Sequence, residues 1–234
     1  MKQTMCSRVF LVPFVRIGAL MMITQWTGTN VITSYMVNIF MDSGSSIDPE
    51  IAPIPVFAIR QLLAMVSTGL LRVSPRKPLF LLCAAMIASA MAALGTYSYF
   101  TQSSKDNLLN DGDLPSSFGW IPVFCVISVN ASMSIGFMSI IQLLSAESFP
   151  TEIRSYASGV CGAFTAVNLF AATKLYPLFV DNLGLHGTFW LYAGVMVVDI
   201  VYGAFTIPEN KGKSLVETEE SKPKENQQSQ RGVV

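Results

Sequence analysis

Charge is what this 234-residue chain has least of. Asp, Glu, Lys and Arg make up 13% of it, about half the roughly 25% of an ordinary soluble domain. Its 15 basic and 15 acidic residues cancel, so there is no electrostatic footprint for a nucleic acid. Titratable nucleophiles and ligands are equally scarce. His186 is the lone histidine, and with no second ligand near it in sequence, no metal site is expected. There is no Ser-His-Asp set and no phosphate-cradling glycine loop. An enzyme is therefore not expected, nor any cofactor. Cys6, Cys83, Cys125 and Cys161 fall in or beside apolar stretches, where cysteine packs as a small hydrophobe more often than it pairs. Val9–Phe14 is too short for the apolar region of a secretory signal.

Long apolar runs dominate instead. Hydrophobic residues are 51% of the chain and mean hydropathy is +0.48. They gather into six runs, about 12–40, 51–71, 78–100, 119–146, 156–180 and 187–207, each long enough to cross a hydrocarbon core of about 30 Å. Buried helices of a soluble protein would need polar helices around them, and the chain has none to spare. The expected fold class is an all-α membrane protein, a six-helix transmembrane bundle over 12–217. A juxtamembrane segment (1–11) precedes it, and a Glu-, Lys-, Gln- and Ser-rich tail (218–234) that buries too little to fold follows.

Six spans put both termini on one side. That side holds Lys2, Arg8, Arg16, the Arg72/Arg76/Lys77 cluster, Arg154, Lys211 and Lys213, whereas the other holds Lys105 alone among basic residues. Basic residues in short loops mark the cytoplasmic face, so both termini are expected there, in a multi-pass protein of the plasma membrane. The sequon Asn130-Ala131-Ser132 lies inside the fourth run, out of reach of glycosylation.

Polar residues inside the runs are the candidate site. Thr24-Gln25-Trp26-Thr27-Gly28-Thr29-Asn30 is too polar to face lipid, because unpartnered amides are costly in a low-dielectric medium. Gln25 and Asn30 lie on roughly adjacent helical faces, with Gly28 between them to loosen the helix. They serve either interhelical hydrogen bonds or a solute-facing stripe. Arg60, mid-run in the second span, must face the bundle interior or a wet cavity, or snorkel. Asp199 is the one acid well inside a span.

These residues, and the turn at 205–215, carry a family likeness. Phe205-Thr206-Ile207-Pro208-Glu209-Asn210-Lys211-Gly212 resembles the end of the last transmembrane helix of the sugar-porter family of the major facilitator superfamily. Gln25, Thr27, Gly28 and Asn30 resemble that family's Gln-Gln-x-Ser-Gly-x-Asn motif, with Thr24 in place of the first Gln. Arg72-Val73-Ser74-Pro75-Arg76-Lys77 resembles its acidic-Arg-x-Gly-Arg-Arg loop, with Leu71 in the acidic position, and Glu147 to Arg154 keeps its Glu-x6-Arg spacing. Lys174 and His186-Gly187-Thr188-Phe189-Trp190 look closest to the insect facilitated trehalose-transporter branch. The likeness departs in the fourth span, where Gly136 survives from Gly-x-Gly-Pro-x-Pro-Trp and Gln142 takes the Trp position. Without those prolines a straighter helix is expected. In the fifth, Thr165-Ala166 replaces Asn-Trp, with Asn168 one turn on.

The resemblance implies the C-terminal half of a two-half carrier working by alternating access. It assigns solute binding to Thr24, Gln25, Asn30, Gln142, Thr165 and Asn168, with Arg60 a possible cavity charge. It assigns gating to Gly28, Tyr35 and Gly136, and a cytoplasmic charge network to Arg72, Arg76, Glu147, Arg154, Glu209 and Lys211. The implied solute is a sugar, trehalose or a hexose, moved by facilitated diffusion. The implied partners are the lipid bilayer and an N-terminal six-helix half or a second copy. The alternative is a diverged or truncated membrane paralogue that binds or regulates a partner without transport.

Overall fold

A computed structural model describes residues 8–42, 51, 53–107, 120–147 and 154–207. They are helical almost throughout: α1 (Arg8–Trp26), α2 (Thr29–Ser34), α3 (Met36–Asp42), α4 (Pro53–Val73), α5 (Arg76–Asn107), α6 (Ile121–Ser132), a π-helical turn (Met133–Phe137), α7 (Met138–Glu147) and α8 (Arg154–Thr206). Four helical stretches among them are long and apolar enough to cross a membrane: Pro53–Leu71, Arg76–Gln102, Ile121–Ser145 and Ser155–Thr206.

Local chemistry accounts for the boundaries. Pro53 and Pro55 open α4 and Pro122 opens α6, where the missing N–H costs nothing. Ser74-Pro75 separates α4 from α5 because the residue before a proline avoids the helical region. The 53 residues of α8 are two helices merged across Gly184, whose φ of 72° and ψ of 168° no helix contains. The turn expected around His186 is thus compressed into one residue, and His186 starts the last helix instead of standing in a loop.

The first apolar run is not one helix. It breaks at Thr27-Gly28, with Gly28 in the left-handed region (φ 75°), and again at Tyr35 (φ −105°, ψ 20°). Hydroxyls re-satisfy the interrupted ladder. Thr27 Oγ1 donates to Thr24 O at 2.7 Å, and the ladder resumes with Ile32 N to Gly28 O at 2.9 Å.

The fourth run is interrupted around Gly136 by the π turn, with no proline there. Ser134 Oγ donates to Asn130 O at 3.1 Å and Asn130 Nδ2 to Val126 O at 3.0 Å. Such side chains compete with the backbone for its carbonyls, and a widened turn is one of the recognised causes of a kink. Gly136 sits in that turn, where a side chain would press on Leu79 and Cys83.

The core forms around α5 and the second half of α8. Phe80, Ala84, Ile87, Met91 and Leu94 repeat at helical spacing along one face of α5, all fully buried. They meet Phe137 of the π turn and Phe189, Tyr192 and Met196 of α8 in one cluster. Phe80 stacks on Phe137 with ring centroids 5.3 Å apart, and its ring lies where a Gly203 side chain would be. Helix α1 packs along α8. There Arg16 donates to Phe205 O at 3.3 Å, and Tyr202 Oη donates back to Arg16 O at 3.2 Å. By contrast α4 leaves Ile54, Phe57, Leu62, Met65 and Val66 exposed.

Gly203→Ala is expected to lower the thermal midpoint in detergent, because overpacking against Phe80 costs about 1–3 kcal/mol. Gly194→Ala, with nothing within 4 Å of its added carbon, serves as the comparison and should leave the midpoint unchanged.

Candidate functional site

The breaks at Gly28 and Tyr35 set the geometry of the polar stretch. Helix α1 ends at Trp26, so Gln25 falls in its last turn and Asn30 in the first turn of α2. The left-handed Gly28 between them brings the two amides together, and Asn30 Nδ2 donates to Gln25 Oε1 at 2.8 Å. Gln25 is buried at 6% exposure and Asn30 is half-buried. The pair therefore satisfies one donor and one acceptor internally and leaves amide capacity over for another partner. A Gly28 side chain would collide with the Tyr192 ring, which packs under the break, while the Tyr192 hydroxyl is buried without a hydrogen-bond partner. Tyr35, at the second break, lies 4.6 Å from the Tyr176 ring and donates to Thr173 O at 3.5 Å. Each break is thus seated on a tyrosine of α8.

Other polar residues of the first run fasten it to its neighbours. Trp26 Nε1 donates to Asn168 Oδ1 at 3.3 Å, and Asn168 Nδ2 donates to Phe164 O at 2.9 Å. Thr33 Oγ1 donates to Asn130 Oδ1 at 3.2 Å, tying α2 to α6. Asn168 and Asn130 are buried, at 8% and 1% exposure. Thr165 Oγ1 donates to Cys161 O at 2.8 Å and lies 3.7 Å from Met21 Sδ of α1.

Thr24 takes a different direction. Its hydroxyl lies 2.8 Å from Leu20 O and 3.3 Å from both carboxyl oxygens of Asp199. Both residues are buried, Thr24 at 1% and Asp199 at 0% exposure. Thr24 thus joins the first span to the last, and this contact encloses a fully buried acid of that helix. Asp199 stands out in the sequence without its partner, and the interhelical bonds of Trp26 and Asn130 are likewise not apparent there. What the sequence does signal is the need: a polar group in an apolar helix must find a partner.

The remaining candidates stand on other helices or beyond what is described. Gln142 is exposed on α7, and Arg60 is half-buried on α4 beside an exposed Gln61. Arg76, half-buried, opens α5. Arg72, Glu147 and Arg154 stand at helix ends with side chains outside the described set, and Glu209 and Lys211 fall outside the described residues.

Comparison with known proteins places this geometry in context. The family model "Sugar (and other) transporter" matches residues 2–221. The chain is 31% identical over 218 residues to a facilitated trehalose transporter of Bombyx mori, covering 93% of this chain and 41% of that protein. It is 32% identical over 206 residues to the corresponding transporter of Apis mellifera ligustica, covering 88% and 39%. Among solved structures, a D-xylose-proton symporter aligns with a TM-score of 0.71 at 22% identity, over 91% of this chain and 47% of that one. A proton:xylose symporter bound to 6-bromo-6-deoxy-D-glucose aligns at 0.68 and 24% identity, over 87% and 42%. The fold is shared with both. The chain spans about two fifths of the length of these two relatives and about a fifth to a quarter of several others.

Thr24→Val should lower stability by about 1–3 kcal/mol, because it strands a buried carboxyl without its hydroxyl. Adding Asp199→Leu, which removes both partners, should recover much of that loss. A thermal melt of the single and double variants reads it directly; additive losses would mean that the contact carries no coupling.

Proposed function

The chain belongs to the sugar transporter family of the major facilitator superfamily, and from that premise we propose that it is the C-terminal six-helix half of a facilitative sugar carrier. The observation that carries the reading is the Gln25–Asn30 amide pair across the Gly28 break. Non-helical backbone at membrane depth is tolerated only where protein or a watery cavity surrounds it, and a broken helix bearing spare amide groups is how carriers of this kind hold polar solutes. Gln25 and Asn30 would pair with sugar hydroxyls, with Asn168 and Thr165 on the facing wall. Gln142 and Arg60 would approach the solute from α7 and α4.

Gating follows from the same breaks. The segment Thr29–Ser34, bounded by Gly28 and Tyr35, and the π turn around Gly136 are the places where the first and fourth spans depart from the regular α-helix. Rocking of two halves about a central site would use them as gate segments, and the charges Arg72, Arg76, Glu147, Arg154, Glu209 and Lys211 would cross-link the helix ends in one gate state. The basic bias of the connecting segments supports cytoplasmic termini; a six-helix domain at 12–217 in the plasma membrane completes the proposal. Facilitated diffusion is preferred to proton coupling because Asp199 is fully buried and enclosed with Thr24 between the first and last spans. The trehalose transporters among its relatives make a glucose-based sugar the solute of choice.

The exposed apolar residues of α4 and of α8 before Gly184, such as Phe164, Val167 and Phe170, suit lipid or the other half. Proteoliposomes containing only this chain should show no saturable trehalose or glucose uptake. Adding an N-terminal six-helix half, taken from the silkworm relative, should restore uptake that a pH gradient does not drive. Saturable uptake by the chain alone would overturn the half-carrier reading in favour of a homodimer; no uptake with either arrangement would overturn the sugar-carrier reading.

A further inference from the structure

We infer that Trp26 is the stacking surface of the solute site, selecting pyranose rings over open-chain polyols, an inference that rests on the sugar-carrier reading above. A pyranose with equatorial hydroxyls presents two kinds of surface. Its rim of hydroxyls needs hydrogen-bonding groups, and its flat C–H faces need an apolar plate. The amide pair Gln25–Asn30 supplies the first. The second must come from an aromatic ring beside it, since burying a C–H face against water-excluding surface is favourable in proportion to area.

The other rings near the break are committed. Tyr35 lies on Tyr176 at 4.6 Å, and Tyr192 fills the space beneath Gly28. The other two tryptophans are elsewhere: Trp190 covers Gly95 and packs with Tyr99 and His186, and Trp120 packs with Phe124 at the start of α6. Trp26 follows Gln25 directly and is half-buried.

Trp26 is also held by its edge. Its indole N–H donates to Asn168 Oδ1 at 3.3 Å, and Asn168 is itself anchored through Nδ2 to Phe164 O at 2.9 Å. That relay fixes the ring plane from α8 through a buried amide, and it takes up the one polar atom of the indole. What the ring has left to offer a solute is its apolar face. A ring with its orientation set before the solute arrives loses little freedom on binding. The plate thus comes from the first span, from the residue next in sequence to Gln25. Asn168 is in this arrangement a positioning residue for Trp26.

Fluorotryptophan labelling tests this without disturbing the fold, since each of the 3 tryptophans gives its own fluorine resonance, assigned by Trp26→Phe. The chain is reconstituted with the partner half that restores uptake and titrated with trehalose, glucose and mannitol. The Trp26 resonance should shift saturably with both pyranoses at the Kd found by equilibrium dialysis, and should not move with mannitol, while Trp120 and Trp190 stay put. Trp26→Leu should raise the Kd for trehalose about tenfold, Trp26→Phe much less, and Asn168→Ala should broaden the Trp26 resonance. Sugar binding with an unmoved Trp26 resonance, or equal shifts with mannitol, would overturn the stacking role and leave the carrier reading standing. Absence of sugar binding by the unsubstituted complex would overturn both.

Discussion

Every backbone polar group inside a bilayer must find a partner within the protein, and the first apolar run meets that demand in an uncommon way. It stops being a helix at Gly28 and again at Tyr35. The cost of opening the ladder is met locally by hydroxyls: Thr27 covers Thr24 O, Thr33 bonds Thr29 O at 3.2 Å, and Ser34 bonds Asn30 O at 3.0 Å. Tyr192 packs under the first break and Tyr35 itself lies against Tyr176 at the second. Because both break points are satisfied and seated, Gln25 and Asn30 can meet across the gap and remain partly free for a solute. The Trp26–Asn168 and Thr33–Asn130 bonds depend on the same geometry, since they leave the run on either side of Gly28.

The fourth run departs from the regular helix in another way. It carries a π turn without a proline, and Asn130 and Ser134 side chains take backbone carbonyls beside it. Gly136 in that turn lets Leu79 and Cys83 of α5 approach. Two different local devices, a left-handed glycine and a widened turn, therefore interrupt the two runs that α2 and α6 link through Thr33 and Asn130.

Much of this was legible in the residues. The apolar runs at 51–71 and 78–100 meet α4 and α5, because length and composition alone decide whether a helix suits a bilayer. The family resemblance was carried by short motifs, Gln25 to Asn30 and the turn after Phe205 among them. Gly28 between two amides announced a loosened helix. The π turn was not legible, because Ser134 and Asn130 read as ordinary polar residues until their acceptors are known. Nor was the Thr24–Asp199 contact, which spans 175 positions and cannot be found from local pattern. Thr24 reads as a weakened solute ligand in sequence, whereas its hydroxyl is turned toward the last helix. Trp26 hid because an aromatic residue in an apolar run looks like core until its N–H is traced to Asn168.

The central claim is that the amide pair at the Gly28 break faces a watery solute path. In a background with Cys6, Cys83, Cys125 and Cys161 replaced, the rate at which a membrane-impermeant thiol reagent modifies Asn30→Cys measures this directly. The account predicts modification that trehalose slows, alongside a Leu82→Cys control on the exposed face of α5 that the reagent does not reach. An Asn30→Cys as inert as the Leu82→Cys control, or modified at a rate that saturating sugar leaves untouched, would contradict it.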